Sequence, residues 1–379
     1  MQFAKIIGQN SVKQKLIQTI KGGRISHAQL FLGNEGSGNL ALAIAYAQYV
    51  NCASPNETDS CGVCSSCVKF EKLIHPDLHF TFPTISPYKL CNELIEDWRN
   101  CLIDNYYQSD FDWIAQIAKT PDKQGNITAN ECRDAIRRLG LKSYEAKFKT
   151  LIIWMPEYME KEGNILLKLL EEPPENTLIL LVANDSEAVL PTILSRTQLI
   201  KIPQILDEDI ERALISNYSI ENNRAQSLAR LVCGNYNLAL KLIDENNEDY
   251  FNLFVDWMRK SFEYSKEPKE LFSLNEKLTE GGREQIKSFL TYSGQMIRSA
   301  FIYKFGHPSL RKNTKEELDF LIKFSQMFNT HNLPLISKSI GDSIYHVERN
   351  ANVKIILLNL SLYIGKLLRD AYAQSKAAA

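Results

Sequence analysis

The 379-residue sequence predicts an α/β region built on a parallel sheet, followed by an all-α region. Three observations carry this expectation. Short apolar runs at 28–32, 78–82, 151–154 and 178–183 alternate with helical periodicities, the pattern of strands joined by crossover helices. A glycine-rich loop, Gly33-Asn34-Glu35-Gly36-Ser37-Gly38, follows the first run and precedes an apolar helix. Beyond Pro203 the strand signal fades and helical spacing continues to the end.

Taken in order, Val12, Leu16, Ile17 and Ile20 share a helical face over 12–20, and Gly22-Gly23 stops it. The strand at 28–32 runs through the glycine loop into a helix over 40–50. Residues 86–126 differ in texture. They are rich in aromatics (Tyr88, Trp98, Tyr106, Tyr107, Phe111, Trp113) and read as an insertion with one or two helices and a flexible polar exit over 120–126. Thr128-x-x-Glu131 is a capping box ahead of a helix carrying Cys132, Ile136 and Leu139. A helix over 165–170 is stopped by Pro173-Pro174. A polar helical stretch over 207–244 breaks at Gly234, and from Asn246 onward the helical patterns are long. The expected division is 1–203, a small helical lid at 204–245, and a helical domain at 246–379. No internal repeat is visible, and no low-complexity segment precedes the final alanines at 377–379.

Composition narrows the function classes. Lys and Arg total 44 against 45 Asp and Glu, a net charge of −1, so coating DNA by bulk charge is disfavoured. No apolar run reaches the ~18–20 residues of a membrane span, and the first residues have no apolar signal core. A cytoplasmic protein is expected.

Cysteine usage is the sharpest signal read from residues alone. Four of the eight cysteines, Cys52, Cys61, Cys64 and Cys67, fall within sixteen residues in the spacing C-x8-C-x2-C-x2-C. Four thiolates complete a closed tetrahedral shell, so the pattern predicts structural zinc in a module at about 52–67. A redox C-x-x-C would need only two cysteines, and an inert core would not cluster four in a polar loop. Cys91, Cys101, Cys132 and Cys233 are scattered and read as small buried hydrophobes, while His75 and His79 are further ligand candidates, His75 reading as structural.

The glycine loop has the shape of a phosphate loop without its chemistry. Gly33, Gly36 and Gly38 fit the backbone of G-x-x-x-x-G-K-[ST], but Asn39 and Leu40 stand where Lys would reach the phosphates and Ser/Thr would hold Mg²⁺. The strand at 151–154 ends in Trp154-Met155-Pro156-Glu157, with no carboxylate at the two positions a hydrolysing site needs. Glu157 reads as a surface charge. Neither station supports ATP binding or hydrolysis by this chain.

With these residues in view, the sequence resembles the delta-prime subunits of bacterial DNA polymerase III clamp loaders, a branch of the AAA+ family. The resemblance rests on Ile7-Gly8-Gln9, His27-Ala28-Gln29-Leu30-Phe31-Leu32-Gly33, Leu166-Leu167-Lys168-Leu169-Leu170-Glu171-Glu172-Pro173-Pro174, Leu190-Pro191-Thr192-Ile193-Leu194-Ser195-Arg196-Thr197 and Asn350-Ala351-Asn352-Val353-Lys354. It covers most of the chain but not 86–126. Thr197 stands where the family usually has Cys, and Asn237 aligns with a second sensing Arg of the motor subunits.

The resemblance implies a degenerate AAA+ nucleotide fold with a zinc module, a helical lid and a C-terminal collar domain. It implies a pentameric ring with delta and the gamma/tau motor subunits that loads the sliding clamp onto primed DNA. In that ring the chain is a non-hydrolysing stator, not an enzyme in isolation. Arg196 is implied to act in trans on ATP held by a neighbouring motor subunit, with Ser195 shaping its turn. Arg133 and Arg137, with Arg138 and Lys142 beside them, form a basic cluster that could touch DNA phosphates. A solvated helix face is the plainer reading. Two alternatives remain: a hydrolysing gamma/tau-like motor, which would bind ATP alone, and a zinc-dependent DNA-binding protein outside replication.

Overall fold

Five strands form one parallel sheet in the order β2-β3-β4-β1-β5: β1 (Ala28–Leu32), β2 (Leu78–Thr81), β3 (Lys149–Trp154), β4 (Thr177–Ala183) and β5 (Gln198–Lys201). Every residue of β3 and β4 is buried. A parallel sheet covered on both faces needs apolar side chains at consecutive positions, which is why these strands read as continuous apolar runs. Registers such as Ala28↔Ile179 and Ile152↔Leu180 send alternate residues to opposite faces. Phe31, Ile152, Leu180 and Val182 join one core; Leu30, Leu151, Ile153 and Leu181 join the other. The computed structural model describes residues 1–118, 123, 125–244, 250–280, 282–307, 315–348 and 351–377. Most of the expected polar exit of the insertion (120–122 and 124), Lys119, Asn246, Asn350 and the last two alanines lie outside them.

The helices follow the expected order with instructive differences. After α1 (Asn10–Lys21) comes α2 (Asn39–Val50), all twelve of whose residues are buried. A short helix, α3 (Ser65–Glu71), closes the cysteine module. The insertion holds α4 (Ile95–Asp104) and α5 (Asp110–Ile117) behind a 3-10 turn at Cys91–Leu94. Its Trp98 and Trp113 are fully buried against each other, Phe82 and Trp154. Loss of either ring would cost roughly 3–5 kcal/mol, so the insertion is part of the core.

Thr128 caps α6 (Ala129–Gly140), accepting from Glu131 N. The reciprocal half of the expected capping box is not made. The Glu131 carboxylate is buried instead with Arg138 (2.5 Å), Thr81 (2.9 Å) and Cys91 N (2.8 Å). The helix expected over 165–170 is a 3-10 segment at Pro156–Leu166 followed by the five-residue α7 (Leu167–Glu171). β5 was not apparent in the sequence, because an edge strand of four mostly exposed residues lacks an apolar run. It follows α8 (Pro191–Leu194).

Three helices, α9 (Asp207–Tyr218), α10 (Asn222–Leu231) and α11 (Tyr236–Asp244), follow the sheet, with Gly234 at φ +84 before the last. The chain separates into two units, Met1–Leu240 and Lys241–Ala379. Among the described residues the second unit contains α12 (Tyr250–Glu263), α13 (Pro268–Glu280), α14 (Gly282–Phe305), α15 (Lys315–Phe324), α16 (Asn332–Glu348) and α17 (Val353–Ala377). Trp257 is central to it, and its indole N–H donates to Ser361 Oγ at 2.7 Å. No described helix is long and apolar enough to cross a membrane. The expected class, α/β plus all-α with a glycine loop after a parallel strand, is the architecture found.

Candidate functional site

The glycine loop leaves β1 and enters α2 through Gly36 and Gly38 at φ +69 and +84, a conformation that favours glycine. A helix N-terminus behind such a loop suits a phosphate. Here the polar atoms of Asn39 are turned inward. Its Nδ2 lies 3.1 Å from Gly33 O, 3.3 Å from Ala183 O and 3.0 Å from Asn184 Oδ1, and its Oδ1 accepts from Leu40 N at 3.0 Å. Leu40 is buried. The two positions that would carry the cation and the metal ligand thus hold a closed amide network and an apolar side chain.

Glu157 is not the surface charge expected from its position. Its Oε1 accepts from Asn184 N (2.6 Å) and Asp185 N (3.0 Å), while Oε2 is buried without a partner. Burial pushes the carboxyl up to about 7. The left-handed Met155 and the 3-10 turn after it rotate the side chain back towards the end of β4, a turn the sequence gives no clear signal for. Trp154 packs into the aromatic core with Trp98.

The second candidate region lies at α8 and the residues after it. Ser195 Oγ donates to Thr192 O at 3.1 Å. The guanidinium of Arg196 is partly exposed, donates to Thr192 O at 3.0 Å and pairs with Glu171 Oε1 at 2.5 Å. Glu171, its partner, was visible only as part of a motif.

The four clustered cysteines come together as their spacing suggests. Their sulfurs all lie within 4.8 Å of one another, and Cys61 Sγ is 3.9 Å from Cys67 Sγ. Zn–S bonds of ~2.3 Å in a tetrahedron separate neighbouring sulfurs by about 3.8 Å, so the donor set fits zinc. Backbone N–H groups aim at the sulfurs: Cys61 N at Cys52 (3.3 Å), Cys64 N at Cys61 (3.3 Å) and Cys67 N at Cys64 (3.4 Å). Such bonds favour thiolates. N–H donors of Val63 and Cys64 lower Cys61 to about 6, while burial raises Cys52 and Cys67. His75 lies outside the cluster, accepting from Asp77 N through Nδ1, and His79 is held low, near 4, by burial and the Arg138 charge. Cys91, Cys101 and Cys132 are buried as expected; Cys233 is only half-buried.

The basic cluster on α6 is smaller than its sequence suggests. Arg138 turns inward to Glu131 and Asp134. Arg137 is exposed but bonds Asp134 Oδ1 at 2.5 Å, and Arg133 Nη1 lies 3.3 Å from Asn130 Oδ1.

One further set of contacts had no signal in the sequence. Asn105, Tyr107 and Asp112 of the insertion reach Ile7, Gly38, Tyr236 and Asn237.

A gamma/tau subunit of DNA polymerase III from Mycobacterium bovis is 28% identical over 196 residues, 52% of this chain and 27% of the relative. The delta' subunit of DNA polymerase III from Bacillus subtilis is 26% identical over 243 residues, 64% of this chain and 60% of the relative. The chain therefore spans about a quarter of the length of the mycobacterial relative it matches. A gamma-subunit-related protein from Thermotoga maritima aligns at 16% identity and a TM-score of 0.40, covering 94% of this chain and 99% of that one. The family described as DNA polymerase III, delta subunit, matches residues 8–206. That match spans more than half of the sequence and includes the glycine loop, the cysteine module and the Ser-Arg turn, and the chain belongs to this family.

Proposed function

We propose that the chain is a non-hydrolysing stator subunit of a DNA polymerase III clamp loader. It would work in a ring with delta and gamma/tau motor subunits, helping to load the sliding clamp onto primed DNA in the cytoplasm. The observation that carries this reading is Asn39, which fills the cation position of the phosphate loop and commits its amide to Gly33 O, Ala183 O, Asn184 Oδ1 and Leu40 N. Without a lysine there is no fixed charge to neutralise a triphosphate. The names of the relatives supply the assembly: gamma/tau and delta' subunits of DNA polymerase III.

In this reading Arg196 supplies its guanidinium in trans. A planar fork of donors fits the equatorial oxygens of a transferring phosphoryl group and stabilises the charge that develops there. The side chain is partly exposed and its ion pair with Glu171 lies at the surface, so redirecting it costs little. Ser195 would hold the turn, and the chain would contribute to hydrolysis without binding substrate. Arg133 and Arg137 would make sequence-blind phosphate contacts. The test is ATP hydrolysis, stimulated by DNA and clamp, in a complex reconstituted with delta and motor subunits. Arg196→Ala should lower turnover at the adjoining motor site by about 10³-fold while the ring still assembles. Unchanged turnover would leave Arg196 a structural residue.

Zinc held by Cys52, Cys61, Cys64 and Cys67 would be structural, because four thiolates leave no position for a reacting water. One zinc per chain is expected by elemental analysis. Its removal by chelation, or Cys64→Ser, should destabilise the protein by more than ~3 kcal/mol, since structural zinc contributes roughly 10–16 kcal/mol in small domains.

A second reading, a hydrolysing gamma/tau-like motor, is favoured by the matches to gamma/tau subunits. It requires ATP binding by the isolated chain, and the inward bonding of Asn39 and the burial of Leu40 speak against that.

A further inference from the structure

We propose that residues 105–112 of the insertion act as a built-in ligand of the glycine-loop cleft. Asn105, Tyr107 and Asp112 would tie the helices after the sheet to the glycine loop, the bridging task a bound nucleotide performs in a phosphate-loop protein. The inference gives the insertion a role and supplies a cause for the nucleotide independence assumed in the stator reading.

The contacts form a continuous bridge. Tyr107 is buried, and its hydroxyl accepts from Ile7 N at 2.9 Å. Its ring lies against the glycine loop: a Cβ added to Gly38 would sit 3.0 Å from Cε1 of Tyr107. The same ring meets Tyr236 edge-on, centroids 4.9 Å apart. Beside it, Asn237 is buried with both ends of its amide bound by the insertion. Its Oδ1 accepts from Asn105 Nδ2 at 2.6 Å, and its Nδ2 donates to Asp112 Oδ2 at 2.7 Å. One tyrosine and one amide therefore touch the N-terminal segment, the glycine loop and the start of α11 together.

Both ends of the bridge are fixed. On the insertion side, Trp113 donates to Pro83 O at 2.8 Å, Trp98 stacks on Phe82, and Tyr158 donates to Asp110 Oδ2 at 2.6 Å. On the helical side, Tyr236 N donates to Gly36 O at 3.1 Å and Asn235 Nδ2 to Glu35 Oε1 at 3.1 Å. Asn235 lies so close that a Cβ on Gly36 would fall 1.9 Å from its Oδ1. A nucleotide entering over the loop would meet Asn235 and Tyr107, and displacing them would take the acceptors from Leu238 N and Ile7 N, with no lysine to offset the loss. A ligand shifts a conformational equilibrium only by its differential affinity for the two states. With the bridging position already filled, nucleotide has no closed state left to favour.

The test is hydrogen–deuterium exchange on the full isolated chain, with and without ATP and Mg²⁺. Wild-type exchange over 207–231 should be the same in both conditions. Tyr107→Ala should raise it by about tenfold or more, while peptides covering β1 and β4 keep their protection. Asn237→Asp should do the same, because it sets a carboxylate against Asp112 without removing any core side chain. That variant decides the matter if Tyr107→Ala unfolds the whole domain. Unchanged exchange in 207–231 for Asn237→Asp, or slowing of wild-type exchange by ATP, would overturn the proposal. The readout needs no partner subunit, so its failure is separable from failure of the Arg196 reading.

Discussion

The glycine loop and the Ser195-Arg196 turn lie in the same α/β unit but handle their polar atoms in opposite ways. At the loop, Asn39, Asn235 and the Glu157 Oε1 atom are all spent on neighbours within the chain. At the turn, the strongest polar group is a guanidinium at the surface, held by an exposed carboxylate and a backbone carbonyl. A group bonded internally at low dielectric stabilises its own fold and is expensive to redirect. A group paired at the surface contributes little to its own fold and is cheap to redirect. The loop has the character of structure, and the turn that of something available to another molecule.

The largest expected effect breaks this comparison most directly. Removing the two side chains should give opposite signatures. Arg196→Ala should cut hydrolysis in the reconstituted complex by about 10³-fold with little change in the Tm of the isolated chain. Asn39→Ala should leave hydrolysis unchanged but lower stability by roughly 1–3 kcal/mol, because it takes the amide donor from Gly33 O and Asn184 Oδ1. If Asn39→Ala abolishes hydrolysis while stability holds, the loop is a working site and the contrast collapses.

A medium-sized effect belongs to Glu157. Its folded value of about 7 is above the ordinary 4.5, because burial disfavours the carboxylate. Below about pH 4.5 the folded and unfolded chains carry the same proton, and this group costs no stability. As pH rises, the unfolded chain releases the proton first, so stability falls until the folded group also ionises near pH 7. The full difference is at most about 3 kcal/mol. Chemical denaturation between pH 4.5 and 8 should therefore show a decline that Glu157→Gln flattens. A wild-type profile that does not fall would mean Glu157 is solvated, as its sequence position suggests.

The two regions also differ in how far they could be read beforehand. The loop's glycines and its missing lysine are local facts, legible without coordinates. The strands of the sheet interior were legible too, because burial on both faces demands unbroken apolar runs such as 178–183. β5 was not, since an exposed edge strand carries no such run. Nor were the partners of Asn237, which lie over a hundred residues away at Asn105 and Asp112. Glu131 shows the limit of local rules: its spacing from Thr128 promises a reciprocal cap, but a half-buried Arg138 offers a charged partner and takes it. Periodicity and spacing report on neighbours in the chain. They are silent on which side chains meet across an insertion.

The smallest expected effect sharpens the comparison at the turn itself. Glu171 holds Arg196 through an ion pair whose side chains are 48% and 34% exposed. Pairs at that exposure are worth about 0–1 kcal/mol, so Glu171→Ala should change stability by no more than that. If Arg196 serves a neighbouring subunit, Glu171 competes with that role by drawing the guanidinium back onto its own surface. Its removal should then leave hydrolysis in the reconstituted complex unchanged or raise it by less than about fivefold, the equivalent of ~1 kcal/mol. A fall in hydrolysis approaching that of Arg196→Ala would reverse this assignment. Glu171 would then be what aims the guanidinium, and the turn would be built as tightly as the loop.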